Sequence, residues 1–359
     1  MYPRTRYLEW ALQHGGSCTY DLGASGSKSA CSLLDTSRVD LHDVGGWENL
    51  RTAIANANDV PRTHAVAALG TAHAVWLAYA ALVSPGDEIL IEAPAYEPLV
   101  GAAQGIGASI ERYDRPKNKG FQFDPEIAAR AIGPKTKAVV VSNLHNPSGA
   151  RASHEALKIV AEAAARVGAH VIVDEVYAPF DELCDAEGVW RKTSMRIADN
   201  VVAVSSLTKC YGLGPHRVGW VLAPADIARR VEAVMLATCA MLPISHANLA
   251  CAAFSALPTL AKQATRSLAE KRARVSAWVA SRSDLSWHAP EAGLFGFVSL
   301  EKKAADVRGA IERGMREEDV MVVPGEFFDM PNGFRLAWSL DASLVDEALV
   351  RLGRVIDSM

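Results

Sequence analysis

Five groups of residues in this sequence carry chemistry if the fold brings them together. Lys209 stands in Ser-Ser-Leu-Thr-Lys-Cys-Tyr-Gly-Leu-Gly-Pro-His-Arg-Val-Gly-Trp (205–220), after a strand-like run and a short Ser/Thr segment. Arg217 lies beyond a glycine-rich turn in the same stretch. Asp174 ends the apolar run Val-Ile-Val-Asp, where a bare carboxylate is costly unless something pairs with it. Asn146 sits in His-Asn-Pro-Ser-Gly, just past another apolar run. Gly70-Thr71-Ala72 opens a helix-like stretch, so free backbone N–H groups and the positive helix end face an incoming dianion. Each has an ordinary structural reading as well. Lys209 and Arg217 suit a strand end with two solvated cations, Asp174 a helix N-cap, and Asn-Pro a turn. The order of the five along one chain carries the information.

The elements that must position them alternate. From about residue 64 to 223, helical and strand-like segments follow one another, as in an α/β domain. The pattern predicts a helix over 71–82 and strands over 88–92, 138–143, 171–174, 201–205 and 218–222. Ser153 is expected to cap a helix reaching about Val167. Continuous β-branched runs suggest strands covered on both faces. Beyond Pro224 the pattern predicts helices over 225–240 and 258–281, then a mixed tail with strands near 292–300, 320–324 and 334–339. Helices are expected over 304–315 and 345–356. The implied division is an N-terminal segment (1–45), a large domain (46–260), and a small α+β domain (261–359) after a long linking helix.

The chain has 359 residues, half of them apolar and 22% charged, an ordinary globular mixture. A formal net charge of −4 and the absence of any Lys/Arg run give no footprint for nucleic acid. The longest apolar stretch, 72–83, is too short to cross a bilayer, and the N-terminus lacks a secretory h-region, so no membrane contact is expected. Cys18, Cys31, Cys184, Cys210, Cys239 and Cys251 form no CxxC pair, which disfavours a zinc site and suits reduced thiols in the cytoplasm. No metal is expected. Cys210 beside Lys209 lacks the His/Asn pattern of a catalytic thiol.

The Lys209–Arg217 stretch, Asp174 in Val-Ile-Val-Asp-Glu-Val-Tyr and Asn146 in Asn-Pro-Ser-Gly, in this order, resemble the class I/II aminotransferases. These are pyridoxal-phosphate (PLP) enzymes of fold type I in the aspartate aminotransferase superfamily. The resemblance runs from roughly position 40 to position 340 and is weakest before it. It implies a large domain with a mostly parallel central sheet sandwiched by helices, a small α+β domain, and a homodimer. It implies that Lys209 forms a Schiff base with the cofactor and then moves the substrate α-proton. Asp174 would keep the ring nitrogen protonated, while Tyr177 and Asn146 would bond the ring oxygen. Tyr96 would stack on the ring. Gly70, Thr71, Ala72, Ser206 and Arg217 would cup the phosphate. Arg335 in Gly-Phe-Arg-Leu-Ala-Trp would grip the substrate carboxylate bidentately, with Asn146 and Gly23 or Ala24 beside it.

Three departures stand out. Ser148 occupies a position where threonine is commoner, and the proline usual after the Gly23 segment is missing. Leu41 falls where many relatives bring a tyrosine from the partner subunit to the phosphate.

The resemblance implies an aminotransferase acting on an amino acid and a 2-oxo acid. A PLP-dependent lyase, decarboxylase or oxidase is the alternative, because the same residues serve each. A ligand-sensing regulator would need an N-terminal DNA-binding domain, which the 1–45 segment is too short to supply. For a dicarboxylate substrate, Arg4, Arg6, Arg38 and Arg191 are the spare cations to consider.

Overall fold

The apolar runs ending at Ser142, Asp174 and Ser206 are strands buried on both faces, and they set the frame of the molecule. The computed structural model describes residues 2–181, 193–302 and 304–359; Cys184 and Arg191 lie outside them. In chain order the elements begin with α1 (Arg6–His14), β1 (Tyr20–Asp21), α2 (Gly46–Ala57), β2 (Ala65–Leu69), α3 (Gly70–Leu82) and β3 (Glu88–Ala93). Then come α4 (Glu97–Gly105), β4 (Ser109–Asp114), α5 (Pro125–Ala131), β5 (Thr136–Ser142), α6 (His154–Ala165), β6 (His170–Asp174), β7 (Val201–Ser206) and β8 (Val218–Leu222). The helices α7 (Ala225–Cys239), α8 (Ile244–Ser255), α9 (Leu257–Thr265) and α10 (Leu268–Ala280) lead to β9 (Leu285–Trp287) and β10 (Phe295–Leu300). The chain closes with α11 (Val307–Glu317), β11 (Val320–Met321), β12 (Val323–Pro324), β13 (Gly333–Ala337) and α12 (Ala342–Asp357).

Seven strands form the main sheet in the order β2-β8-β7-β6-β5-β3-β4, all parallel except β8. Alternate residues feed two cores. Ile89, Ile91, Val140, Ile172 and Val204 pack toward α3, α4 and α7, while Leu90, Val139, Val141, Val171 and Val173 pack toward α5 and α6. Helix α3 is apolar on every side because it lies between the sheet and α7, burying Val75, Leu77, Tyr79 and Leu82. Each such side chain contributes about 1.5–3 kcal/mol on leaving water.

Register fixes where the functional residues emerge. Ser142 pairs with Asp174, Asp174 with Val204, Ser206 with Gly219, and Leu69 with Val218. The carboxyl ends of β2, β5, β6 and β7 therefore form one edge. The chain winds one way from β3 to β4 and the other way from β5 through β7, and open α/β sheets bind ligands beside such a reversal. Beneath that edge Glu92 and Arg115 are fully buried as an ion pair at 2.8 Å. Glu92 also accepts from the Ser142 amide and hydroxyl, while Arg115 donates to the Phe121 carbonyl. The pair anchors the start of the 143–149 loop that carries Asn146.

A second, antiparallel sheet runs β12-β13-β10-β9, with Arg335 on β13 opposite Phe297 and Val323. The N-terminal segment joins this layer through the parallel pair β1–β11 and through the amide of Ala337 donating to the Leu22 carbonyl.

The structure departs from the expected elements at several points. The helix predicted over 258–281 is two helices, α9 and α10, broken at Arg266 and at Ser267, whose φ of 59° is left-handed. Helices α1, α4, α5 and α8 and strands β1, β2, β4 and β9 were not anticipated, and the strand expected over 320–324 is two short ones, β11 and β12. The alternating Ser-Ile-Glu-Arg-Tyr-Asp of β4 is half polar because an edge strand needs fewer apolar residues.

Candidate active site

Asp174 at the tip of β6 is 5% exposed. One carboxylate oxygen takes the Val176 amide at 3.0 Å, and no other donor reaches it among the described residues. Burial pushes its carboxyl up to about 7, reinforced by Glu92 and opposed by the charge of Lys209. Such a group awaits a cationic partner.

Lys209 follows β7, and its Nζ donates to Ser25 Oγ at 3.1 Å. The 25–30 segment lies across the lysine loop: the Ser27 amide donates to the Lys209 carbonyl and the Ala30 amide to the Gly212 carbonyl. Ser25 is buried and was not singled out in the sequence. Nothing local marks it, since its role comes from a contact with a lysine far along the chain.

The anion cup forms where α3 starts. Thr71 Oγ1 donates to Ser206 Oγ at 2.8 Å, and Ser206 Oγ lies 2.7 Å from Thr208 Oγ1. Thr208 is a third hydroxyl that sequence reading missed. Gly70 has φ +78°, and a Cβ there would stand 2.5 Å from Arg217 Nη2, so the guanidinium lies against the helix start. Ala72 lies in the first turn of α3. Gly219 explains how closely the parts approach, since a Cβ on it would meet the Gly70 carbonyl carbon at 2.5 Å. Gly219→Ala is expected to destabilise the fold by about 2 kcal/mol or more, because backbone on both sides cannot yield. A urea titration checks this, and an unmoved midpoint contradicts the close approach.

Arg335 is completely buried. It donates to Asn146 Oδ1 at 2.9 Å, to Tyr7 Oη at 3.0 Å and to the Gly23 carbonyl at 2.9 Å. Phe295, Phe328 and Tyr7 wall it with ring centroids 5.2, 5.4 and 5.6 Å from its guanidinium carbon. Its Nε and the Asn146 amide nitrogen are buried with no partner. Gly23 thus contributes a carbonyl, whereas the Ala24 amide is committed to Asp21 Oδ1 at 2.9 Å. Tyr177 is buried, edge-on to Phe295 at 4.8 Å. Tyr96 stands at the start of α4 with its ring 5.4 Å from Tyr7 in an edge arrangement.

Tyr7 is the largest functional-site residue that the sequence concealed. It lies on α1, whose Arg6 and Tyr7 amides are capped by Glu97 at 3.2 and 2.5 Å. Burial alone would raise its hydroxyl, but the positive charges of Arg335 and Lys209 and the hydrogen bond from Arg335 bring it below the usual tyrosine value.

Of the spare cations, Arg4 pairs with Glu9 at the surface, Arg6 is 62% exposed beside Glu97, and Arg38 is exposed. No group of three potential metal ligands exists among the described residues.

The sequence profile described as Aminotransferase class I and II matches residues 37–352. The chain belongs to the class I and II aminotransferase family. It is 27% identical over 346 residues to the arginine–pyruvate transaminase of Pseudomonas aeruginosa, covering 94% of this chain and 87% of that protein. It is 30% identical over 318 residues to capreomycidine synthase of Streptomyces vinaceus, covering 86% and 78%. A PLP-dependent aminotransferase from Streptococcus suis superposes with a TM-score of 0.87 at 22% identity, over 99% and 98% of the two chains. The enzyme is a PLP-dependent aminotransferase with the fold type I architecture. The site suits that cofactor: the unpartnered Asn146 and Arg335 nitrogens, the lone buried Asp174 and the hydroxyl cup are each complementary to one part of it or of its substrate.

Proposed function

We propose that the residues at the carboxyl edge of the main sheet hold PLP and use it to pass an amino group from an amino acid to a 2-oxo acid. One observation carries the assignment. The positive charge of Lys209 acts on the buried carboxyl of Asp174, the Thr71–Ser206 hydroxyl pair stands at the start of α3, and Arg335 is buried with no carboxylate partner among the described residues. When bound, the cofactor supplies an electron-withdrawing ring that stabilises negative charge at the substrate α-carbon. Lys209 Nζ would hold the cofactor through its aldehyde carbon and, once freed, would take and return the α-proton. Asp174 would keep a proton on the ring nitrogen, which would in turn favour the ionised carboxylate. Asn146, with its free amide nitrogen, and Tyr177, with its hydroxyl, would serve the ring oxygen. Tyr96 would pack against the ring.

Thr71, Ser206, Arg217 and the Gly70–Ala72 amides would take the phosphate. Thr208 adds the hydroxyl that Leu41, 40% exposed on this chain, cannot supply. Arg335 binds the α-carboxylate, held by Asn146, Tyr7 and the Gly23 carbonyl. The family relationship supports a homodimer, and the scattered thiols support a cytoplasmic enzyme. The described residues contain no helix long and apolar enough to cross a membrane. For the division into segments 1–45, 46–260 and 261–359, support comes from the seven-stranded sheet lying within 65–222 and the four-stranded sheet within 285–337.

The name of the Pseudomonas relative makes arginine with pyruvate the first pair to test, followed by a panel of donors. Alanine formed from pyruvate with loss of the donor amino acid is the expected result. Ammonia or CO₂ without a new amino acid would assign the chain to lyase or decarboxylase chemistry instead.

A further inference from the structure

A cavity of about 860 Å³ opens beside the lysine loop, where the N-terminal segment, the loop after β7 and the tail of the chain meet. Cys210 and Tyr211 line it, but none of the residues assigned to the cofactor or the substrate lies on its wall. Its volume is that of a site for a small organic molecule.

The charge of its wall is one-sided. Among the described lining residues there are four cations, Lys28, Lys262, Arg266 and Lys271, and one carboxylate, Asp341. That carboxylate is already paired with Lys28. Lys262 on α9 and Arg266 just after it are exposed, and neither makes a hydrogen bond or ion pair among the described residues. Lys271 is only 7% exposed, and its Nζ donates to the Leu340 carbonyl at 3.0 Å. A buried ammonium held by a neutral oxygen is poorly compensated. Lys28 and Asp341 both act on its charge, so these three groups share one corner.

Two helices also begin at this wall, α10 through Ser267–Leu268 and α12 through Asp341–Ala342, and neither start has a side-chain cap. Their first N–H groups add partial positive charge to that of the side chains. Phe180, Leu260 and Leu294 supply an apolar part of the same wall. Three cations without a carboxylate call for more than one negative charge, and a phosphate group brings two with several acceptor oxygens. The apolar part would be idle against a bare ion.

We propose that this cavity binds a small phosphate monoester, its doubly charged head met by Lys271, Lys262 and Arg266 and its organic body packed on Phe180, Leu260 and Leu294. The site is separate from the one that holds PLP, and the proposal does not depend on which reaction the enzyme catalyses.

The test titrates PLP-loaded protein, whose own phosphate cup is filled, with phenyl phosphate, inorganic phosphate and phenol, followed by calorimetry in a buffer free of phosphate and carboxylates. Phenyl phosphate is expected to bind once per chain, inorganic phosphate about tenfold more weakly, and phenol more weakly still. The double variant Lys262→Met/Arg266→Met should weaken phenyl phosphate about tenfold or more. Its melting temperature without ligand should match wild type, because neither side chain has a partner to lose. Lys158→Met on α6, outside the cavity, removes one surface cation and should leave the affinity unchanged.

No binding of phenyl phosphate at about 10 mM overturns the proposal, as does an affinity that the double variant leaves intact. An equal loss in Lys158→Met would show general attraction to a cationic surface and overturns it too. Equal affinities for inorganic phosphate and phenyl phosphate overturn the organic ester as the ligand.

Discussion

Lys209→Ala protein should remain folded, bind PLP without the absorbance of a lysine-linked cofactor, and transfer amino groups at a rate reduced about 10⁴-fold or more. The side chain is half-buried and makes one hydrogen bond, to Ser25, so its loss removes little packing. In the proposed mechanism covalent attachment and proton transfer fall on the same nitrogen, so one substitution would remove both. Absorbance spectra and single-turnover rates check this together. Near-wild-type turnover in Lys209→Ala would show that another group moves the proton.

Asp174→Asn carries the second large expectation, in two separable readouts. Turnover should fall about 10²–10³-fold, the scale of losing one aimed electrostatic group in a site shielded from water. The amide can still accept a hydrogen bond but cannot hold a proton on the ring nitrogen. The second readout is stability of the cofactor-free protein. Burial raises the folded-state carboxyl to about 7, so the folded chain binds a proton that the unfolded chain, titrating near 4, releases. The sign follows from linkage. Wild type keeps its full stability below about pH 4 and loses it as pH rises toward 7, at about 1.4 kcal/mol per unit of displacement. The Asn variant carries no such charge. Its cofactor-free melting temperature should match wild type at pH 4 and exceed it at pH 8. PLP should narrow the gap at pH 8 by supplying the missing cation. Parallel curves for the two proteins from pH 4 to 8 would mean that Asp174 is not held in this environment.

The parts of the site legible in the sequence were those on or beside the strands of the main sheet. Asp174, Ser206 and Lys209 follow apolar runs whose ends must lie at one edge, and Asn146 and Gly70 lie in turns directly after such runs. A strand buried on both faces cannot conceal where it stops. Tyr7, Ser25 and Thr208 were not legible. Tyr7 lies on an exposed-looking amphipathic helix, and its partners Lys209 and Arg335 come from the middle and the far end of the chain. Ser25 sits in a Gly/Ser-rich run that gives no periodic signal, and Thr208 is one hydroxyl in a cluster of several. The break between α9 and α10 was hidden for another reason. No glycine or proline marks Arg266–Ser267, so the left-handed turn at Ser267 is imposed by packing rather than local preference. Arg335 was singled out from its motif, but its lack of a carboxylate partner among the described residues needed coordinates.

That lack has a practical reach. Among the described residues, no acidic side chain pairs with Arg335, although aromatic rings strip it of water on three sides. A shielded positive centre of this kind will recruit whatever small counter-ion the medium offers. Acetate, formate or citrate in a buffer should act as weak competitors, inflating apparent Michaelis constants in proportion to their concentration. Chloride should do so less, because it cannot satisfy two parallel N–H groups at once. Affinities for this enzyme are best compared in media whose anions cannot mimic a carboxylate.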